Sequence, residues 1–479
     1  MSQAAVSAPL STATPTRVRY GVLMFVCALS MITYLDRACI SAAATSIQEA
    51  LGLKSRGDLK WVFSAFALAY ALFEVPTGWL GDVFGPKRVL IRIVLWWSVF
   101  TALTGLAGLS IGGLFIGLTA LIVIRFLFGM GEAGAYPNIT RALHNWFPIA
   151  ERGRAQGAVW MSGRILGGLT FLIFGVLIAG ISAWDVKPLM SWRHAFWLFG
   201  GVGIIWCIAF AWWFRDRPKQ KAGVNDAELA WIGSSAAETQ ASRPRVPWLE
   251  ILSSRNLWLV CFMYFCLAYG WYFNITYLAG FFEDRFAVPA GSMLTNLYKG
   301  GPLLLGAVGC LLGGFLTDRY IRRTGDRRWG RRLFGVVGLL LASAVFVVCY
   351  FVSRRVSQPM LFAVLLALTG FFADLTMPAA WSVCQDIGRR YAAIVAGFMN
   401  MVGNLGGVCA SMITGMILSH SLETYSAGIG TPVDMLTKAQ TAAGQLPGYE
   451  TSFLVFAAVF AVGALCWLFI DADQPVARE

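Results

Sequence analysis

Charge is scarce in this sequence. Of 479 residues only 13% are Asp, Glu, Lys or Arg, whereas soluble domains carry about 25%. Histidine is rarer still: His144, His194 and His420 are the only three, and all fall in loops or at the ends of apolar runs. No His-Glu-x-x-His, no paired His-Cys cluster and no Gly-rich phosphate loop occurs, so the usual metal-hydrolase and nucleotide signatures are missing. No metal, no cofactor and no enzymatic activity is expected. Long polar domains are missing too, which argues against a membrane sensor. The ten cysteines (Cys27, Cys39, Cys207, Cys261, Cys266, Cys310, Cys349, Cys384, Cys409 and Cys466) lie within or beside apolar stretches. A disulfide framework is therefore not expected. Residues 1–16 are Ala/Ser/Thr-rich without a cleavable signal pattern, so the first apolar run should stay in the mature chain.

What the chain has instead is grease. Hydrophobic residues make up 57%, with 51 Gly and 19 Trp. Gly allows close helix contact in lipid, and Trp favours the membrane interface. Apolar runs of about 20 residues, enough to span a bilayer, recur along the chain. Their continuity excludes a barrel, because lipid leaves only helices or closed alternating strands. The expected fold is all-α and integral to the membrane. Twelve spans are predicted, at 18–45, 60–81, 88–109, 113–136, 155–181, 192–214, 256–281, 294–317, 332–353, 359–381, 391–419 and 451–471. They divide into a tail (1–17), a first six-helix bundle (18–214), a central cytoplasmic loop (215–255), a second bundle (256–471) and a tail (472–479).

The net charge of +13 raises the possibility of nucleic acid, but the basic residues are spread through short loops with no basic helix or aromatic platform. With the N-terminus inside, 25 of the 38 Lys and Arg fall on the cytoplasmic side, 10 on the other, and Arg37, Arg125 and Arg164 within spans. That bias predicts both termini in the cytoplasm, with the chain in the cell's inner (plasma) membrane. A pattern also repeats. GWLGD (78–82) follows the second span and GFLTD (314–318) the eighth, each trailed by basic residues. A duplicated six-helix unit explains this.

The segment GWLGDVFGPKR (78–88) resembles the loop signature of the major facilitator superfamily. Together with ITYLDRACIS (32–41), YALFEVPTGWLGD (70–82), RFLFGMGEAGAYPN (125–138) and WFPIAERGRAQG (146–157), it resembles the anion:cation symporter family within that superfamily. The resemblance covers nearly the whole chain and is most specific in the first half. It implies two pseudo-symmetric six-helix bundles and a cargo such as galactonate, glucarate, a hexuronate or a phthalate-like anion. It also implies that Asp36 and Glu132 serve proton coupling while Arg37 and Arg125 bind the anion.

The residues support a related reading by themselves. Charges inside a span are costly and by default functional. Arg125 and Glu132 lie almost two turns apart on one face, separated by about 10 Å, and that face should line a cavity. Two guanidiniums near the midplane offer planar forks for a carboxylate. An ion-pair network of Arg37 with Asp36 or Glu132 is the structural alternative, and the two roles can coexist. Asp36 and Glu132 are placed to carry protons. Tyr70, Asn274, Tyr277, Asn400 and Asn404 are candidate polar contacts to substrate hydroxyls, or else helix-to-helix glue. Arg164 favours a dianion if it faces the cavity and changes nothing if it pairs with a carboxylate. Asp374 is either a further proton site or a partner for Arg164, Arg389 or Arg390. Glu74 reads as a structural ion-pair residue. Gly78, Asp82, Lys87, Arg88 and Asp318 form a gating group at the cytoplasmic helix ends. The expected protein is a monomeric, proton-coupled carrier of a small organic anion. The alternative is an electroneutral exchanger or exporter on the same fold. The anion's identity, H⁺ against Na⁺, and direction stay open.

Overall fold

The computed structural model describes residues 14–53, 59–179, 188–233, 246–288, 293–355 and 357–477, and these are overwhelmingly helical. The first half contains α1 (Val18–Ala42), α2 (Ala44–Ala50), α3 (Lys60–Phe84), α4 (Pro86–Thr104), α5 (Leu118–Glu132), α6 (Ala135–Trp146), α7 (Arg152–Ala179) and α8 (Trp192–Trp213). Short α9 (Asp226–Ile232) and α10 (Trp248–Ser253) follow, then α11 (Arg255–Thr276), α12 (Leu278–Phe286), α13 (Met293–Thr324), α14 (Arg327–Val352), α15 (Pro359–Gly388), α16 (Ala392–Ile429) and α17 (Lys438–Phe469).

The outward faces of these helices carry apolar side chains. On α8, Ile205, Ile208 and Trp212 fall on one helical face and are 69%, 67% and 79% exposed. Such stripes are at home against acyl chains rather than water. Nine helical stretches among the described residues are long and apolar enough to cross a bilayer. One of them, Pro359–Ile429, runs through both α15 and α16, and Arg-bearing α4 and α7 pack among the rest. Twelve crossings fit this arrangement.

The two halves repeat one packing scheme. In the first, α1 packs on α7, α3 on α5 and α4 on α8; in the second, α11 packs on α16, α13 on α15 and α14 on α17. The halves meet where α7 packs on α13 and α3 on α16, contacts that exchange under the same correspondence. Glycine permits this approach. A Cβ added at Gly78 would stand 2.5 Å from the Ala393 carbonyl oxygen, and one at Gly157 2.5 Å from that of Cys310. Overpacking a tight site costs about 1–3 kcal/mol. Gly157→Val is therefore expected to lower the melting midpoint in detergent by several degrees. Gly201→Ala, where an added Cβ meets nothing within 4 Å, should not.

Some boundaries differ from expectation. The fourth span does not begin at 113: Gly112 and Gly113 adopt left-handed φ values of 56° and 83° in a tight ribbon pairing Ser110–Ile111 with Leu114–Phe115. The helix starts at Leu118 and breaks after Glu132, where Gly134 (φ 81°) turns the chain into α6. A side chain at Gly134 would strike Thr77, 2.5 Å away. The stretch 420–450, left between the spans predicted at 391–419 and 451–471, is mostly helix. α16 runs on to Ile429 and stops at left-handed Gly430, and Thr437 with Gln440 forms a capping box that starts α17.

Candidate functional site

Helical periodicity aims several groups at one central cavity of about 250 Å³. On α1, Tyr34, Arg37 and Ser41 share a face; on α7, Trp160, Arg164 and Gly167 do. The second half contributes Tyr264, Trp271 and Tyr272 from α11, Asp374 and Met377 from α15, and Asn400 and Asn404 from α16.

Arg37 is the half-exposed charge in the wall. Its Nε donates to Glu132 Oε1 at 2.7 Å, with the Arg37 side chain 30% exposed and that of Glu132 fully buried. The guanidinium lies over the Tyr70 ring, 4.4 Å from its centroid, and its Nη2 has no hydrogen-bond partner among the described residues. Arg125, Asp36 and Glu132 form a second row behind Arg37 rather than the wall itself. Arg125, expected to touch the anion directly, is 2% exposed and wedged against Phe66 and Phe128, 5.1 and 4.1 Å away. Asp36 is 2% exposed, and neither of its carboxylate oxygens has a hydrogen-bond partner among the described residues. Glu132 Oε2 is likewise unpartnered.

On the other side of the cavity, Arg164 both faces the space and pairs with a carboxylate. Its Nε and Nη2 donate to the two oxygens of Asp374 at 2.7 and 2.9 Å, and both side chains are 2% exposed. Arg164 also donates to the Tyr34 hydroxyl and lies over Trp271, 4.1 Å from the ring centroid. Of the three cationic partners open for Asp374, it is Arg164 that stands against it.

Asn400 and Asn404 reach the cavity, but Asn400 is also engaged across the halves. Its Nδ2 donates to Glu74 Oε1 at 2.5 Å and to the Tyr70 hydroxyl at 3.3 Å. Glu74 therefore joins a hydrogen-bonded cluster with neutral groups, in place of the ion pair expected from sequence. Asn404 Nδ2 donates to the Asn400 carbonyl at 2.8 Å. Tyr70 sits behind Arg37, outside the lining. Asn274 and Tyr277 also lie outside it: the Tyr277 hydroxyl donates to the Ser411 carbonyl at 2.6 Å, in the α11–α16 contact.

Below the cavity, the two copies of the repeated motif cap helices of the opposite half. Asp82, at the end of α3, accepts from the Ala393 and Ile394 N–H groups opening α16, at 3.2 and 2.8 Å. Asp318, near the end of α13, accepts from the Gly153 and Arg154 N–H groups opening α7, at 3.0 and 2.7 Å. A carboxylate at a helix N-terminus satisfies otherwise unpaired donors and opposes the macrodipole. Gly78 allows the first contact by its lack of a side chain. Arg141 stands beside Asp82 at 3.6 Å and donates to the Arg389 carbonyl at 2.8 Å. Lys87, expected at this seam, instead gives its backbone N–H to Asp216 at 2.7 Å, where burial pushes the Asp216 carboxyl above its ordinary value. Its neighbour Arg88 adds a favourable charge to the same carboxylate. Arg152, Asp386 and Arg331 form an ion-pair cluster at the same seam: Asp386 binds Arg152 at 2.9 Å and Arg331 at 3.0 Å. Sequence reasoning counted these residues only as loop charge. The trace available was that Arg331 lies in the 319–332 basic cluster directly after the second motif copy.

The family model described as Major Facilitator Superfamily matches residues 26–411 and 323–479. The probable sulfoacetate transporter SauU of Cupriavidus necator is 33% identical over 458 residues, covering 95% of this chain and 94% of the relative. A probable galactarate/D-glucarate transporter of Escherichia coli is 31% identical, covering 84% and 88%. A D-galactonate transporter of Escherichia coli is 29% identical, covering 85% and 91%. Among solved structures, the proton:xylose symporter XylE matches with a TM-score of 0.67 at 12% identity, covering 96% of this chain and 98% of that one.

Proposed function

This chain belongs to the Major Facilitator Superfamily of membrane transporters, and from that premise we propose that it carries a small organic anion together with protons. The observation that carries the reading is the Arg37–Glu132 pair in the cavity wall: a guanidinium with one nitrogen engaged and another without a partner. An incoming carboxylate or sulfonate takes the planar fork. Glu132 then loses its only recorded partner and must accept a proton, because a bare buried carboxylate is costly.

Counting buried charge points the same way. Around the cavity stand Arg37, Arg125 and Arg164 against Asp36, Glu74, Glu132 and Asp374. Fully ionised, this layer is already negative before any anion enters. An anionic cargo therefore favours protonation of at least one of these carboxyls, and Asp36, whose oxygens have no hydrogen-bond partner among the described residues, is an apt holder. Relatives named for sulfoacetate, galactarate, D-glucarate and D-galactonate support an acidic cargo.

The Lys and Arg bias supports placing both termini in the cytoplasm of a plasma membrane, with the Asp82 and Asp318 caps sealing the cytoplasmic end. The cavity then belongs to an outward-facing state, and alternating access requires both caps to release. Asp82→Asn is expected to slow transport several-fold while leaving anion affinity nearly unchanged. Affinity from titration and rate from uptake, taken on one preparation, test this; equal affinity with an unaltered rate would refute the latch.

The reading as a whole is tested by uptake into proteoliposomes with a panel of labelled acids, imposing pH and sodium gradients separately. Uptake driven by an inward proton gradient supports symport. Exchange that ignores both gradients favours an electroneutral exchanger, and no uptake of any acid defeats the anion reading.

A further inference from the structure

We infer that the Arg164–Asp374 pair is an exchangeable second anion site, and that the preferred cargo is a short dianion whose far acid group displaces Asp374 from Arg164. This rests on the organic-anion reading above.

The pair spans the two halves. Arg164 belongs to α7 and Asp374 to α15, 210 residues apart, and both border the cavity. Rocking of one half against the other stretches bonds of 2.7 and 2.9 Å, so the pair cannot persist through a transport cycle unchanged. Its two members are held unequally. Arg164 keeps the Tyr34 hydroxyl and the face of Trp271 when Asp374 leaves. Among the described residues, Arg164 is the one hydrogen-bond donor to Asp374. The guanidinium stays aimed at the cavity, and the carboxylate is the partner that yields.

Tyr34 ties this site to the first one. It stands one helical turn before Arg37 on α1, and its hydroxyl accepts from Arg164. The cavity thus has two guanidiniums in its wall, each already holding a carboxylate that an incoming acid can replace. A monoanion satisfies one. A molecule with an acid group at each end of a short chain satisfies both, and each replacement sends one protein carboxyl to the protonated form. Charge balances: the dianion brings two negative charges, and two protons join Glu132 and Asp374.

Matched pairs of acids test this, each differing at one end only: D-glucarate with D-gluconate, sulfoacetate with isethionate, and phthalate with benzoate. Binding to the purified full-length protein is measured by titration calorimetry, with proton uptake followed in weak buffer. In at least one pair the dianion should bind about tenfold tighter or better, the gain expected of one charge-assisted contact. It should also take up one more proton than its monoanionic partner. Arg164→Gln should erase the preference and the extra proton, weakening the dianion about tenfold more than its monoanionic partner. Arg164→Gln/Asp374→Asn, which leaves no unpaired charge, provides the same readout if the single variant does not fold. Equal affinity within every pair for the native protein overturns the inference, as does an equal loss for both members in the variant, the mark of a mere tether. Monoanion binding without dianion preference sinks this inference and leaves the anion reading standing. No binding by any of the six acids sinks both.

Discussion

Arg37→Gln should cut uptake by about a hundredfold or more. Two effects add. The anion loses a charge-assisted fork worth about 1.5–3 kcal/mol, and Glu132 loses its buried partner, a loss of about 3–5 kcal/mol when one member of such a pair is removed. The second effect also threatens folding. Arg37→Gln/Glu132→Gln is therefore the informative companion, since it removes both charges and keeps two hydrogen-bonding amides. It should fold, keep its melting midpoint within a few degrees, and still fail to take up anions. Arg37→Lys should recover only part of the activity, because an ammonium is a point charge and cannot present a planar fork. Uptake by the double variant within about threefold of the native rate, a gap smaller than a single lost contact, would remove Arg37 from the binding site.

The second large effect concerns coupling. In the native protein, uptake should rise as the outer pH falls, since protons and anion enter the same negative layer together. With Asp36→Asn and Glu132→Gln combined, those two proton holders are gone. Net uptake of a monoanion driven by an inward proton gradient should fall to background, while exchange of labelled for unlabelled anion across the same vesicles continues at a measurable rate. The sign is fixed: substituting neutral amides mimics the protonated form, so anion binding at neutral pH should hold or strengthen. A double variant that still concentrates anion against its gradient, at a rate that tracks outer pH, would show that the protons travel elsewhere.

Much of the site could be read from residue types and spacing. Arg37, Arg125, Arg164, Asp36, Glu132 and Asp374 all stand in apolar runs, and all prove buried or set in the cavity wall. Each stands inside an apolar run, so that these groups would be buried was legible in the sequence. What it could not assign was rank. Arg125 shares a helix face with Glu132, yet it lies behind the wall because Phe66 and Phe128 enclose it. Glu74 was expected in an ion pair, but α16 comes close enough for Asn400 to meet it first. The amides at 400 and 404 share a face as expected, and only one of them is drawn into the contact between halves.

By itself the sequence determined a membrane-embedded helical chain and a repeated motif, and it set several charges within apolar runs. These follow from hydropathy and periodicity, properties local to each segment. Tertiary structure alone decided which carboxylate meets which guanidinium, that Asp82 and Asp318 each cap a helix of the other half, and that Arg164 spans the cavity to Asp374. A helix fixes the direction of a side chain relative to its own axis. Its partner depends on how close and at what angle the neighbouring helices pack, and in this protein glycines such as Gly78 and Gly157 set that closeness.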